Sequence, residues 1–452
     1  MPEIDLLIRN GIVVTPAGVA TRDISVSDGK IVECGGLIAG KAGQVIDVSG
    51  LHIFPGLIDS HVHFNDPGRA DWEGFVTGSS ALAAGGGTLF FDMPLNASPP
   101  TLDAESFDQK HEAARGKSLV DFAFWGGVVP GNLDHLEELA ERGVVGFKAF
   151  MSNSGIEDFP ASDEKTLREG MKKAARLKKI VAVHAESEEI TARLTRAKIE
   201  AGQWSVKDYL ETRPLAAELE AVRQILDIAG ETGCALHIVH VSSGAGAALV
   251  ATAAENGVDV TCETCPHYLA LTAEDMVSIG ARAKCAPPLR GRSEQSDLWH
   301  QLMKGKISTI GSDHSPSPAS MKAAANFFKV WGGIAGIQHT LPLLLTEAHA
   351  NRGMPLPTIA RLTSANVAQR FRLPPSKAGI LPGADADLVF VDLTDEYDVR
   401  PEELLDRHKL SPYTGRRLTG RVVRTILRGR TVLLNNRVMC APAGQLVKPL
   451  YD

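Results

Sequence analysis

Cysteine is scarce: six residues in 452, at positions 34, 234, 262, 265, 285 and 440. That density excludes a disulfide-stapled fold, and a chain this long buries enough core not to need one. Cys262 and Cys265 form a C-x-x-C, but no second pair completes a structural zinc site. Reduced thiols in or near a core are the expectation. Long apolar runs are also missing, and none approaches the ~20 residues of a membrane helix. The amino-terminal MPEIDLLIRNGIVV mixes acids and an arginine with its apolar residues, whereas a secretory signal has a basic start and a clean apolar centre. Nor is there an excess of positive charge. Lys and Arg number 47 against 54 Asp and Glu, for a formal charge of −7, with no basic tail or stripe. Neither nucleic acid nor a membrane is therefore expected as a partner, and a cytoplasmic location is.

What is present is the balance of a globular protein, 44% hydrophobic and 22% charged. Residues 1–53 read as β-structure, with hairpin signals at Asn10-Gly11 and Asp28-Gly29 between alternating apolar residues. Residues 377–452 have the same character, with Gly429 as a turn. The two ends are expected to pair into one small β-sandwich domain. Between them, over 54–376, short apolar runs alternate with helical patterns. The strand candidates are 53–63, 88–93, 121–128, 144–150, 180–186, 235–241, 259–264 and 307–313. Asn132 can cap LDHLEELAER, which stops at Gly143, and DEKTLREGMKKAARLKK and ELEAVRQILDIAGETG are amphipathic at helical period. Eight strands with intervening helices predict an α/β fold, a (β/α)8 barrel. A doubly wound open sheet is the alternative, but no Gly-rich nucleotide fingerprint opens any unit.

The chemistry gathers at strand ends. In FPGLIDSHVHF, His61 and His63 are two apart and share one side of a strand, at its C-terminal end, where barrel active sites form. Imidazole is the commonest nitrogen ligand for zinc and its neighbours. Lys148 ends the fourth run inside VVGFKAF. It is either a snorkelling lysine or a desolvated amine that takes up carbon dioxide as a carbamate, an anionic oxygen ligand able to bridge two metals. His184, His240 and Asp313 end the fifth, sixth and eighth runs. His237, three residues before His240, should face the other way. His267 is placed in a pocket wall or behind the ligands, and His314 should point away from Asp313.

The stretches PGLIDSHVH, GFKAF, VAVHAE, HIVHVSS and GSDHSP together resemble the cyclic amidohydrolases, which include dihydropyrimidinase, hydantoinase, dihydroorotase and allantoinase. The resemblance runs nearly end to end and implies a barrel of the amidohydrolase type. It also implies two divalent metal ions, with zinc first and cobalt, manganese or iron as alternatives. Carried over by position, His61, His63 and Asp313 hold the buried metal, and His184 and His240 the more exposed one. An N6-carboxylated Lys148 bridges them. The implied reaction is ring opening of a cyclic amide by a metal-bridging hydroxide, with Asp313 as general base and then acid. A homotetramer is implied as well.

The family splits by substrate. Dihydroorotases resemble HxHxR, and here Asn65 stands in place of the carboxylate-gripping arginine. Arg69 either reaches in from four residues on or forms a surface salt bridge. Hydantoinases and dihydropyrimidinases resemble one another in a tyrosine shortly after the lysine, which KAFMSNSG lacks; Asn153 or Ser154 would supply polar contacts there. HFNDPGRADWEG, DMPLN, CETCPHYL, AKCAPPLR, SDHSPSP, WGGIAG and HKLSPYTGR are similar to the allantoinase branch. That similarity implies a small-molecule substrate, allantoin, opened to allantoate. Asn65, Asn96, Ser154, Cys285 (with its neighbour Ala286, through backbone groups) and Ser315 are the candidate substrate contacts. The alternatives are a hydantoinase or dihydropyrimidinase, a dihydroorotase, or a non-catalytic scaffold, which would lack ligands that this chain has.

Overall fold

The computed structural model describes residues 4–377 and 379–450. Eight parallel strands form the barrel: β1 (Leu57–Val62), β2 (Gly87–Asp92), β3 (Asp121–Phe124), β4 (Gly146–Phe150), β5 (Ile180–His184), β6 (Leu236–Ile238), β7 (Val260–Thr264) and β8 (Thr309–Ile310). Direct pairing runs β1-β2-β3 and β4 through β8. The two arcs join where Val145 N donates to Phe124 O at 2.9 Å. The ring closes where Val62 bridges His314 and His63 N donates to His314 O at 2.8 Å.

Alternation along the strands makes two cores. Phe147, Val181, Val183, Leu236 and Ile238 face outward under the helices, while Leu89, Phe91, Ala123, Trp125, Ala182 and Val239 fill the barrel's lower interior. The helices follow their signals. Asp163 accepts from Thr166 N and opens Glu164–Arg176, and Leu215–Thr232 ends at Gly233 with φ 66°. Gly143, φ 95°, stops Leu136–Arg142 as expected. Asn132 does not cap that helix. Its amide instead donates to Gly127 O and Leu102 O while its oxygen accepts from Val129 N, bracing the loop after β3.

Both chain ends contribute to one nine-stranded sheet, from Ile4–Thr15 through Arg437–Val438, branched at the first strand. Asp28-Gly29 and Arg428-Gly429 make two-residue hairpins, all four residues at positive φ. Asn10-Gly11 does not turn the chain. It is a bulge inside Ile4–Thr15, where the pairing with Gly18–Ser27 slips. Asn10 N donates to Asp23 Oδ1 at 3.0 Å, and a Cβ at Gly11 would meet Ile53 Cδ1 at 2.3 Å. The glycine thus permits close approach. The sheet is latched beneath the barrel by Lys377, whose Nζ lies 2.6 Å from both Asp121 and Asp387. All six cysteines are unpaired. Among the described residues no helix is long and apolar enough to cross a membrane.

Candidate active site

The C-terminal strand ends open into a cavity of about 880 Å³ whose wall includes His61, His63, His184, His240 and Asp313. β1 delivers His61 and His63 together, as a period of two requires. Their Nε2 atoms lie 3.2 and 3.4 Å from Asp313 Oδ1, and the three side chains cluster within 4.8 Å of one another. Across the floor, His184 Nδ1 faces His240 Nε2 at 3.0 Å. The two groups adjoin, with the His61 and His240 ring centroids 5.4 Å apart. Two of these residues have strained backbones. His240 follows the end of β6 at φ 40° and Asp313 follows β8 at φ 47°, a region costly for any residue with a Cβ. Both residues are thereby turned toward the cavity.

Lys148 lies beneath the floor, wholly buried, and its Nζ makes no hydrogen bond among the described residues. The Phe150 ring is 4.9 Å away. Burial pushes the amine down to about 7, against the opposing pull of Asp313 and Glu263. A snorkelling lysine is excluded by this burial. Burial works to raise the Asp313 carboxyl, but the adjoining His61 and His63 rings more than offset it and hold it below its ordinary range. Burial lowers His63, His184 and, most strongly, His240, so all three favour the neutral, ligating form.

Imidazole nitrogens, a carboxylate and an unpartnered amine able to become a carbamate form a donor set that fits divalent metal. His61, His63 and Asp313 could hold one ion and His184 with His240 a second, with carboxylated Lys148 as the anion between them.

Of the expected substrate contacts, Asn96, Ser154, Cys285 and Ser315 line the cavity. Asn65 does not. It turns at φ 64° at the end of β1 and is buried behind the wall, where its side chain has no hydrogen bond among the described residues. Ser154 reaches the wall with its hydroxyl donating to Phe159 O at 2.6 Å, and the neighbouring Asn153 lines it too, its Oδ1 accepting from Gly155 N at 2.8 Å. Asn96 Nδ2 donates to Ser315 Oγ at 3.4 Å. Cys285 lines the wall too, and its carbonyl already accepts from Tyr209 Oη at 2.8 Å. Arg69 stays outside, donating to Asn96 O at 2.6 Å.

His237 does not face outward. It pairs in register with Ala182 inside the barrel, and its Nδ1 lies 2.7 Å from Thr261 Oγ1. The left-handed residue His240 breaks the alternation that would have set the two apart. His267 is buried, and neither of its nitrogens has a partner among the described residues; His314 turns away to accept from Gly336 N at 3.2 Å.

Two carboxylates escaped the sequence reading. Glu263 of β7 is fully buried with Oε1 2.9 Å from His61 Nδ1, and Glu186 is fully buried with Oε2 2.8 Å from His184 Nε2. The signal for Glu186 was its spacing, two residues after His184. Lys284 and Tyr209, also on the cavity wall, were missed because nothing local marks them.

The Amidohydrolase family model matches residues 52–432. The chain is 55% identical to an allantoinase of Rubrobacter xylanophilus, covering 99% of this chain and 98% of that one. It is 51% identical to an allantoinase of Deinococcus radiodurans, covering 99% of each. Among solved structures it is similar to an L-hydantoinase (dihydropyrimidinase) from Arthrobacter aurescens, with TM-score 0.96, 33% identity, and 98% and 100% of the two chains covered. It is also similar to a dihydropyrimidinase from Brevibacillus agri, with TM-score 0.91, 31% identity and 98% of each chain covered.

Proposed function

The chain belongs to the amidohydrolase family, and from that premise we propose that it is an allantoinase, hydrolysing the cyclic amide of allantoin to give allantoate. The observation that carries the chemistry is the buried, unpartnered Lys148 amine beneath four histidines and Asp313 at the mouth of one cavity. His61, His63 and Asp313 would hold one divalent ion, His184 and His240 the other, and N6-carboxylated Lys148 would bridge them. Zinc is the first choice for this donor set. Bound there, two such ions supply a water of lowered pKa and positive charge beside the carbonyl oxygen.

The chain's own residues do the rest. Asp313, ionised and at the cavity wall, takes the proton of the attacking water on a carboxylate oxygen. It then delivers that proton to the ring nitrogen as the C–N bond breaks. One C–O bond forms, one C–N bond breaks, and the nitrogen leaves neutral. Asn96, Asn153 and Ser315 offer neutral donors and acceptors suited to a ureido-bearing ring without a carboxylate. Two of the cationic wall residues are committed already: Lys284 Nζ donates to Phe327 O and Val330 O, and Arg213 to Glu186.

A hydantoinase of broad range is the second reading. The observation favouring it is the size of the cavity, which exceeds what one small heterocycle fills. The first reading carries a cytoplasmic location, which the six unpaired thiols support, and a homotetramer, testable by sedimentation. The reaction is tested by incubating zinc-loaded protein with allantoin and quantifying allantoate. Product that disappears with a chelator and returns with zinc is expected. Product formation indifferent to chelation would overturn the metal-dependent reading.

A further inference from the structure

A histidine can bind a cation through only one nitrogen at a time in a site like this, and which nitrogen is free depends on what the other donates to. In this cavity the off-site nitrogens are not left to chance. His61 has Nδ1 on Glu263 at 2.9 Å, which leaves the Nε2 lone pair facing Asp313. His63 has Nδ1 on the Leu95 carbonyl at 3.1 Å, which again leaves Nε2 free. His184 is reversed, with Nε2 on Glu186 at 2.8 Å and Nδ1 toward His240. His240 Nδ1 alone has no partner among the described residues.

The two carboxylates are themselves fixed. Glu263 accepts a second bond from Ser60 Oγ at 2.7 Å, and Gly311 leaves room for it, since a Cβ there would lie 2.3 Å from Oε2. Glu186 is paired with Arg213, whose side chain reaches the cavity wall. Both acids are fully buried, where a carboxylate persists only if it is well bonded.

We infer that Glu263 and Glu186 are positioning residues, each setting the tautomer of one histidine in a different half of the site. Glu263 governs the His61–His63–Asp313 half and Glu186 the His184–His240 half. This rests on the metal-centre reading above. It goes further by naming the buried carboxylate that fixes each ring and by making the halves separately weakenable. Removing such a hydrogen-bonded partner typically lowers metal affinity on the order of 10–100-fold.

The test is a zinc titration of the stripped full-length protein against a chelator of known affinity, in wild type, Glu263→Gln, Glu186→Gln and Glu218→Gln. Glu218 is an equally buried carboxylate bonded to Ser242, Ser243 and Arg290 and to no histidine. Its variant controls for losing a buried charge. Wild type and the Glu218 variant should each bind two zinc ions in the same two steps. Each of the other two should keep one step unchanged and weaken one, Glu263→Gln and Glu186→Gln in different steps, and the double variant should weaken both. Glutamine retains an acceptor oxygen, so Glu→Ala variants that keep the wild-type circular dichroism should lose more than the Gln variants. Unchanged titrations, or a single substitution that weakens both steps alike, would overturn the inference. Wild type that takes up no zinc would instead overturn the metal-centre reading itself, and the inference with it.

Discussion

Replacing Lys148 with methionine should make the metal-free protein more stable while making it unable to function. In the metal-free, carbon dioxide-free state the lysine is a wholly buried amine without a hydrogen bond, held at about 7 against an ordinary 10.5. The drop, at 1.36 kcal/mol per pKa unit, corresponds to a penalty of about 5 kcal/mol for the protonated form. The sign follows from proton linkage. The unfolded chain holds the proton up to 10.5 and the folded chain releases it near 7. The penalty is therefore full at and below pH 7 and fades as pH rises toward 10.5. Methionine has similar length and no charge, and imperfect packing should cost about 1 kcal/mol. The variant should thus exceed stripped wild type by about 3–4 kcal/mol at pH 7, and the gap should close by about pH 10. Urea unfolding of both proteins at the two pH values, in degassed buffer with chelator, measures it. A variant less stable than wild type at pH 7, or a gap independent of pH, would refute the reasoning. A gain in the empty fold's stability paired with loss of zinc in the same variant is the result expected of an amine kept for the proposed carbamate rather than for packing.

Asp313→Asn should keep much of its zinc, since His61 and His63 remain, while turnover falls on the order of 100-fold or more; elemental analysis and allantoate assays separate the two effects, and near-normal activity would remove Asp313 from proton transfer. Glu347→Gln should lower stability at neutral pH by about 1 kcal/mol, because Glu347 bonds Arg416 and, at 3.0 Å, Arg352, joining a barrel helix to the sheet. Burial works to raise the Glu347 pKa, but those arginines bring it below its ordinary 4.5. Its stabilisation is complete above 4.5 and lost as pH falls below, so the variant and wild type should converge in acid melts. Melting curves that stay equally separated below pH 4.5 would contradict that origin.

Much of the site was legible because strands repeat every two residues. That period puts His61 beside His63, and it would have put Glu186 beside His184 had the same rule been applied to an acid. Glu263 was not legible: within DVTCET a lone glutamate looks like any strand acid, and only the barrel's closure brings it under His61, from a residue 202 positions away. The left-handed turns at His240 and Asp313 were also invisible: histidine and aspartate adopt positive φ more readily than most residues, but only a minority of them do so and nothing in the flanking sequence selects these two, and the turn at His240 is why the inference that His237 faces outward failed. Asn10-Gly11 misled for a related reason. Asn-Gly permits positive φ but does not dictate whether the chain reverses or bulges, and Ile53, 42 residues on, decides it. Asn65, a candidate substrate contact from its place after the HxH, lies off the cavity because the chain turns there at φ 64° and carries its side chain away.

The most direct test of the account is a comparison of kcat/KM for allantoin, hydantoin, dihydrouracil and dihydroorotate, using protein loaded with zinc in the presence of bicarbonate. The account predicts a strong preference for allantoin and no appreciable turnover of the carboxylated dihydroorotate. A preference for hydantoin or dihydrouracil would contradict the assignment of substrate, and turnover of none of the four with two zinc ions bound would contradict the assignment of reaction.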